Sequence, residues 1–366
     1  MKLIPSLLYS ALLSFATVCA YAQGQQDDGP HARYQGSGIE ARWLCDGKLV
    51  EKTYTTATKV TIDPVCAFPN SIVLQDANTT YTISAQYQAK KIAALSDIHG
   101  QYGSLKTLLQ AHGIIGQDLN WSFGDGHLVV AGDILDRGTQ VTEALWLLYR
   151  LEAQAQAAGG RLHVLLGNHE TMVMANDLRY VNQKYVKVAR EFGVSYPDLF
   201  GADTVLGRWL RNKPVIVQIN DSLFMHAGLH PDYLKLKLSI PEVNQQFANS
   251  LGLAKSEIKK QDTLNFLYGS LGPIWYRGYF KAPQLPALEL EQLLQTLKVK
   301  RLVVGHTTMS GILSHYQGKI ISIDSDIKSG KSGEILLIEN ERWQRGSLQG
   351  EKLAIPESTT TTTLDN

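Results

Sequence analysis

The sequence predicts an α/β layered fold. From Lys90 onward, short apolar strands alternate with helical segments. Those strands repeatedly stop at polar clusters where loops follow. Beyond residue 22, no apolar stretch reaches the roughly 18 residues that a membrane span needs. In folds of this kind, ligand sites form in the loops beyond the strand ends.

Residues 1–22 read as a secretory signal peptide. Lys2 precedes an apolar run from Leu7 to Ala22, which ends Ala20-Tyr21-Ala22, small residues at the positions a signal peptidase reads. The alternative, a single membrane anchor, needs a longer apolar stretch. A lipoprotein would need a better lipobox than Ala16-Thr17-Val18 before Cys19. The mature chain is therefore expected to be exported, periplasmic or secreted, without stable membrane insertion. Residues 23–40 are polar and Gly-rich and are predicted to form a flexible leader. Residues 41–89 are predicted to be β-rich, because Thr53–Thr56, Lys59–Ile62 and Thr79–Ile83 carry β-branched residues between Pro-containing turns.

The catalytic domain is placed at 90–345. Ile92–Leu95 is a strand running into Asp97-Ile98-His99-Gly100, followed by a helix with Leu105, Leu108 and Leu109 on one face. Leu128–Ala131 ends in Gly132-Asp133, and 140–157 is helical. Leu162–Leu166 ends in Gly167-Asn168-His169-Glu170. Val215–Val217 and Leu223–Met225 look like paired strands, 231–285 a largely helical insertion, and Leu302–Val304 a strand ending in Gly305-His306. Ile320–Ile323 and Ile335–Ile338 are predicted to close the fold as an antiparallel pair. Residues 346–366, with their run of threonines, are predicted to be a flexible tail.

Composition excludes several classes. With 35 basic and 34 acidic residues, a formal charge of +1, the chain lacks the positive excess of a protein that binds nucleic acid through a basic face. Signal cleavage would remove Cys19 and leave Cys45 and Cys66 in an oxidising compartment. These two are expected to form a disulfide, with two buried free thiols as the competing reading. Neither serves a Cys-x5-Arg phosphatase loop, since the positions six residues on hold Glu51 and Ile72.

The chemistry sits at the strand ends: Asp97, His99, Asp133, Asp136, Arg137, Asn168, His169, His226 and His306. Oxygen and imidazole donors without thiolate suit Mn, Fe or Zn. Two such ions about 3.5–4 Å apart clamp the attacking and leaving oxygens of a phosphate ester, and Asp133 is the natural bridging carboxylate. Singly, each residue has a plainer reading: Asn168 as a helix cap, Arg137 as a surface ion pair, His226 or His306 as a hydrogen-bonding residue. Five clusters in series, each after a strand, argue against that reading.

Asp97-Ile98-His99-Gly100, Gly132-Asp133-Ile134-Leu135-Asp136-Arg137-Gly138 and Gly167-Asn168-His169-Glu170 resemble the DxHG, GDxxDRG and GNHE signatures of calcineurin-like metallophosphoesterases of the phosphoprotein phosphatase type. Bacterial diadenosine tetraphosphatases share them. Ala227, where HGG is usual, and Trp275-Tyr276-Arg277-Gly278 are most similar to the Shewanella-like phosphatase branch. The resemblance implies a metallophosphoesterase β-sandwich flanked by helices. Asp97 and His99 would hold the first metal, Asp133 would bridge, and Asn168, His226 and His306 would complete the second. His169, oriented by Asp136, would protonate the leaving group. Arg137 would grip the phosphoryl oxygens, with Arg277 as a second clamp or a structural residue. Thr308 stands where other metallophosphoesterases add a histidine ligand. The implied activity is phosphomonoester hydrolysis by in-line attack of a metal-bridging hydroxide, on a phosphorylated protein or peptide and favouring phosphotyrosine. A nucleotide hydrolase of the diadenosine tetraphosphatase type is the alternative.

Overall fold

The computed structural model describes residues 27–55, 59–75 and 86–358. The signal-peptide segment, the strand expected at Thr79–Ile83 and the threonines from Thr359 onward lie outside the described residues. An antiparallel sheet opens the chain, built from β1 (Asp28–Gln35), β2 (Gly38–Cys45) and β3 (Lys48–Thr55). Next come the short pair β4 (Thr61–Ile62) and β5 (Ile72–Val73), then β6 (Gln86–Tyr87). The main body alternates: β7 (Lys91–Leu95), α1 (Tyr102–Ala111), β8 (His127–Val130), α2 (Val141–Ala157), β9 (Arg161–Val164). Three helices follow, α3 (Asn168–Met174), α4 (Gln183–Glu191) and α5 (Val205–Arg211), then β10 (Ile216–Ile219) and β11 (Ser222–Met225). The insertion carries α6 (Ile240–Ser250), α7 (Lys255–Lys259) and α8 (Asp262–Leu267), and runs through turns to α9 (Ala287–Leu297). The chain closes with β12 (Arg301–Val304), β13 (Leu313–His315), β14 (Ile320–Ser322), β15 (Glu334–Glu339), β16 (Arg342–Ser347) and β17 (Lys352–Leu353).

Two six-stranded sheets form a sandwich, in the orders β17-β16-β15-β7-β8-β9 and β13-β14-β12-β11-β10-β6. Side-chain alternation along each strand decides what lies between them. Ile92, Ala94, Val129 and Leu336 of one sheet share a buried cluster with Val217, Phe224, Val303 and Ile321 of the other. The alternate residues, among them Ala93, Leu95, Leu128, Val130, Leu223 and Leu302, face outward into a second core with the helices. Strands buried on both faces must be apolar throughout, which is why β7, β8 and β12 read as continuous apolar runs. The runs β7-β8-β9 and β11-β12-β14 are parallel. Their carboxyl ends therefore deliver several loops to one edge of the sandwich.

Three expectations are corrected. The polar stretch 23–40 is not a flexible leader from Asp28 onward, because it is a buried strand and a hairpin. Its polarity conceals an internal charge cluster: Asp28 lies 2.6 Å from His31 and 3.5 Å from the Lys184 Nζ, and the Trp146 indole N–H donates to the Pro30 carbonyl at 2.8 Å. The stretch 346–366 is not a loose tail through its described part. Gly346 and Ser347 belong to β16, β17 extends the sheet, and Ser314 donates its backbone N–H to the Pro356 carbonyl and accepts that of Ser358. Ile320–Ile323 and Ile335–Ile338 do not pair. The first joins β12 and the second joins β7, in opposite sheets, because an apolar run does not name its partner across a sandwich.

Cys45, at the end of β2, is bonded to Cys66. The bond ties the segment carrying β4 and β5 to the N-terminal sheet, and closing that loop restricts the unfolded chain by about 3 kcal/mol. Reduction is expected to lower the melting temperature while leaving turnover at low temperature largely intact, because the strand-end loops are held without the bond. Calorimetry and a turnover assay with and without reductant check this. Loss of turnover below the melting transition would show that the N-terminal segment shapes the site.

Candidate metal centre

Each polar cluster follows directly on a carboxyl end: Asp97 after β7, Asp133 after β8, Asn168 after β9, His226 after β11 and His306 after β12. The chain has to turn sharply there, and it does so at unusual backbone angles. Asp97, His99, Asp133, Asp136, Arg137 and His306 all have φ between +46° and +71°, a left-handed region that costs a non-glycine residue about 1 kcal/mol or more. Two neighbouring glycines allow the loops to approach. A Cβ on Gly167 would stand 2.2 Å from the Asp133 Oδ1, and one on Gly305 2.6 Å from the Asp97 Oδ2.

The structure brings together the six residues expected to be ligands. All are buried. Asp133 Oδ2 is 3.5 Å from His99 Nε2, 3.8 Å from His169 Nε2 and 3.3 Å from His226 Nε2. His226 Nε2 also lies 2.9 Å from Asn168 Oδ1 and 3.1 Å from His306 Nδ1. Asp97 Oδ2 accepts the His306 backbone N–H at 2.9 Å, joining the two sheets at the site. Four of the six, with His169, fall into two overlapping groups, His99–Asp133–His169 and Asp133–His226–His306, each with its donor atoms within 4.8 Å of one another, and Asp97 belongs to neither.

The donor set fits cations. His99 Nδ1–H donates to the Leu135 carbonyl at 2.7 Å, and His226 Nδ1–H to the Ala131 carbonyl at 2.8 Å. A carbonyl only accepts, so each ring turns its Nε2 inward, the second interaction that fixes a ligating imidazole. Electron-pair donors then converge on Asp133, where only a proton or a cation can sit. Burial pushes the Asp133 carboxyl up, but the surrounding His226, His169 and His99 outweigh it and hold it well below the usual carboxylate range. Burial likewise presses His226 down, yet Asp133 and Asp97 push it up to about 9. His99 goes the other way, held down to about 3 by burial against the pull of Asp133, and so offers its lone pair.

Around this centre, His169 Nδ1 is 2.6 Å from Asp136 Oδ2. Burial lowers the imidazole, but Asp133 and Asp136 outweigh it and raise it above the ordinary histidine range. Arg137 is exposed at the rim, its guanidinium 5.0 Å from the centre of the Tyr180 ring. Arg277 reaches the site from the turns after α8. Its Nη1 donates to the His306 carbonyl at 2.9 Å and to the Thr307 Oγ1 at 3.2 Å. Thr308 turns away from the centre, donating its hydroxyl to the buried Asp324 at 2.7 Å.

A family model for calcineurin-like phosphoesterases matches residues 90–309, the span that carries all five loops. The chain belongs to that family. The crystal structure of a cold-active protein-tyrosine phosphatase from a psychrophilic Shewanella species superposes with a TM-score of 0.85 at 40% identity, covering 93% of this chain and 99% of that one. An uncharacterised Schizosaccharomyces pombe protein is 31% identical over 66% of this chain and 75% of its own length. Shewanella-like protein phosphatase 1 of Plasmodium berghei is 30% identical over 59% of this chain and 61% of its own length.

Two residues of this phosphoesterase matter beyond those singled out from sequence. Glu170 was visible in Gly167-Asn168-His169-Glu170, but its task was not. Fully buried, its carboxylate accepts the backbone N–H groups of Gly167 at 2.7 Å, Asp133 at 2.9 Å, Ile134 at 2.8 Å and Leu135 at 3.1 Å. It thereby holds the β8 loop against the start of α3. Glu170→Ala strands four donors and is expected to destabilise the calcineurin-like fold by roughly 3–5 kcal/mol, with Glu170→Gln recovering part of the loss. Urea unfolding measures it, and a change below about 1 kcal/mol would mean the loop is held by other means. The second residue, Tyr180, carries no sequence signal. Its ring lies 5.0 Å from that of His169.

Proposed function

We propose that this phosphoesterase is a dinuclear metal-dependent phosphoprotein phosphatase that favours phosphotyrosine and acts after export. The observation carrying the reading is the buried Asp133, ringed by imidazoles, next to a separate His169–Asp136 pair. It is supported by the 40% identity to a protein-tyrosine phosphatase across nearly the whole chain.

In this reading Asp97, His99 and Asp133 hold one ion, and Asp133, Asn168, His226 and His306 the other, with Mn, Fe and Zn all suited to the oxygen and nitrogen donors. Ions bound there supply positive charge to the phosphoryl oxygens and lower the pKa of water toward neutrality. The chain's own residues do the rest. Arg137 presents a planar guanidinium at the rim, suited to bidentate contact with phosphoryl oxygens. Arg277 is tied to the His306 carbonyl and the Thr307 hydroxyl, so it either adds a second contact or holds that loop. His169 carries its reactive proton on Nε2, because Nδ1 is committed to Asp136, and gives that proton to the leaving oxygen. Asp136 keeps the ring oriented and its proton affinity raised.

Export rests on the signal-peptide pattern of residues 1–22 and is supported by the Cys45–Cys66 bond. Among the described residues no helix is long and apolar enough to cross a membrane. Turnover of a phosphotyrosine peptide, a phosphoserine peptide and diadenosine tetraphosphate with added Mn tests the reading. The phosphotyrosine peptide is expected to be hydrolysed fastest. Fastest turnover of diadenosine tetraphosphate would make the enzyme a nucleotide hydrolase instead.

A further inference from the structure

The leaving group of any phosphomonoester at this site is located by His169. Proton donation requires the ester oxygen within about 2.6–3.2 Å of the donor nitrogen, so the atoms beyond that oxygen must pass whatever lines the next few ångströms. On one side that lining is Tyr180. It is 40% exposed, although the His169 beside it is buried. Its ring is 5.0 Å from His169, inclined at 48°.

Tyr180 is also held in place. Its carbonyl accepts the Arg137 backbone N–H at 2.9 Å. The side chains of Asn182 and Lys184 donate to the carbonyls of Arg137 and Thr139 at 2.8 and 2.7 Å, clasping this segment to the loop that carries Arg137. The guanidinium groups of Arg137 and Arg179 stand 5.0 and 5.5 Å from the ring centre, and Arg179 is fixed by a two-bond pairing with Asp177. The site therefore presents an aromatic ring held by its backbone and flanked by two guanidinium groups, with a face open to a second ring.

We infer that Tyr180, together with Arg137, forms the surface that receives an aromatic leaving group, and is a specificity-determining residue for phosphorylated phenols over phosphorylated aliphatic alcohols. The inference rests on the phosphatase reading above. A tyrosyl ring beyond the ester oxygen is long enough to meet Tyr180 at the 4.5–7 Å spacing that aromatic pairs prefer. A serine side chain has only one carbon there and no ring to offer.

The test uses the full chain loaded with Mn and one peptide made in two forms, with phosphotyrosine or phosphoserine at the same position. Tyr180→Ala is expected to lower kcat/KM on the phosphotyrosine form roughly 3- to 30-fold, chiefly through KM, and to change the phosphoserine form by less than about twofold. Tyr180→Phe, which keeps the ring, should leave both within about twofold, and melting temperatures check that each variant is folded. Equal losses on both peptides would overturn the inference and reduce Tyr180 to a support for His169. A preference that survives Tyr180→Ala but disappears in Trp275→Ala would overturn it too. It would assign the aromatic leaving group to Trp275, whose ring stands 5.5 Å from that of His306. Wild-type enzyme inactive on both peptides would instead remove the phosphatase reading, and this inference with it.

Discussion

Asp133→Asn is expected to release bound metal and to abolish nearly all turnover. The substitution keeps the shape of the side chain but removes the negative charge shared by His99, His169 and His226, which it faces at 3.3–3.8 Å. Two cations sharing that space then repel each other without an intervening anion. Losing several kcal/mol of charge stabilisation corresponds to a rate deficit of about 10³-fold or more. Elemental analysis of the purified variant should show well under two metals per chain. Two tightly held ions with full turnover would falsify the bridging role. The unfolding transition serves as a control, since the Asp133 backbone N–H still donates to Glu170.

His169→Asn should separate binding from chemistry. His169 lies inside one donor cluster, 3.8 Å from Asp133 Oδ2, but its other nitrogen is engaged by Asp136 at 2.6 Å. If its task is proton donation, the variant keeps its metals and loses turnover by about 10²–10⁴-fold on a substrate with a poor leaving group. The deficit should shrink on p-nitrophenyl phosphate, whose leaving group needs little protonation. An equal deficit on p-nitrophenyl phosphate and an alkyl phosphate would count against the acid role. Loss of metal along with turnover would make His169 a ligand. Asp136→Asn should show the same leaving-group dependence in weaker form, because it disturbs the orientation of the ring rather than the proton itself.

Much of the site was legible because each piece of it is local. Asp97, Asp133, Asn168, His226 and His306 each stand where an apolar run stops, and both the run and its end are readable from a handful of adjacent residues. The glycines beside them have equally local signatures, although the reason for Gly167 and Gly305 is a close approach visible only in three dimensions. The misread leader has a physical origin. Asp28 and His31 read as solvent-seeking, yet they pair with each other at 2.6 Å in the interior, with Lys184 3.5 Å from Asp28. Polarity measures the cost of burying a group alone, and cannot register a partner distant in the chain.

By itself the sequence determined the kind of molecule: an alternating α/β chain, a nitrogen and oxygen donor set without thiolates, and the order in which the donors occur. These follow from side-chain periodicity and residue chemistry, which act over a few residues. The tertiary structure alone decided which strands share a sheet, that Glu170 gathers four N–H groups of the β8 and β9 loops, that Arg277 rests on the His306 loop, and that Tyr180 stands beside His169. Asp97 and the His306 N–H, 209 positions apart, meet at 2.9 Å. Contacts of that kind are set by how two twisted sheets pack face to face, with both inner surfaces filled by similar aliphatic side chains. Aliphatic burial is non-directional, so it demands a partner surface without specifying which one. Only the assembled sandwich makes that choice, and with it the geometry of the centre.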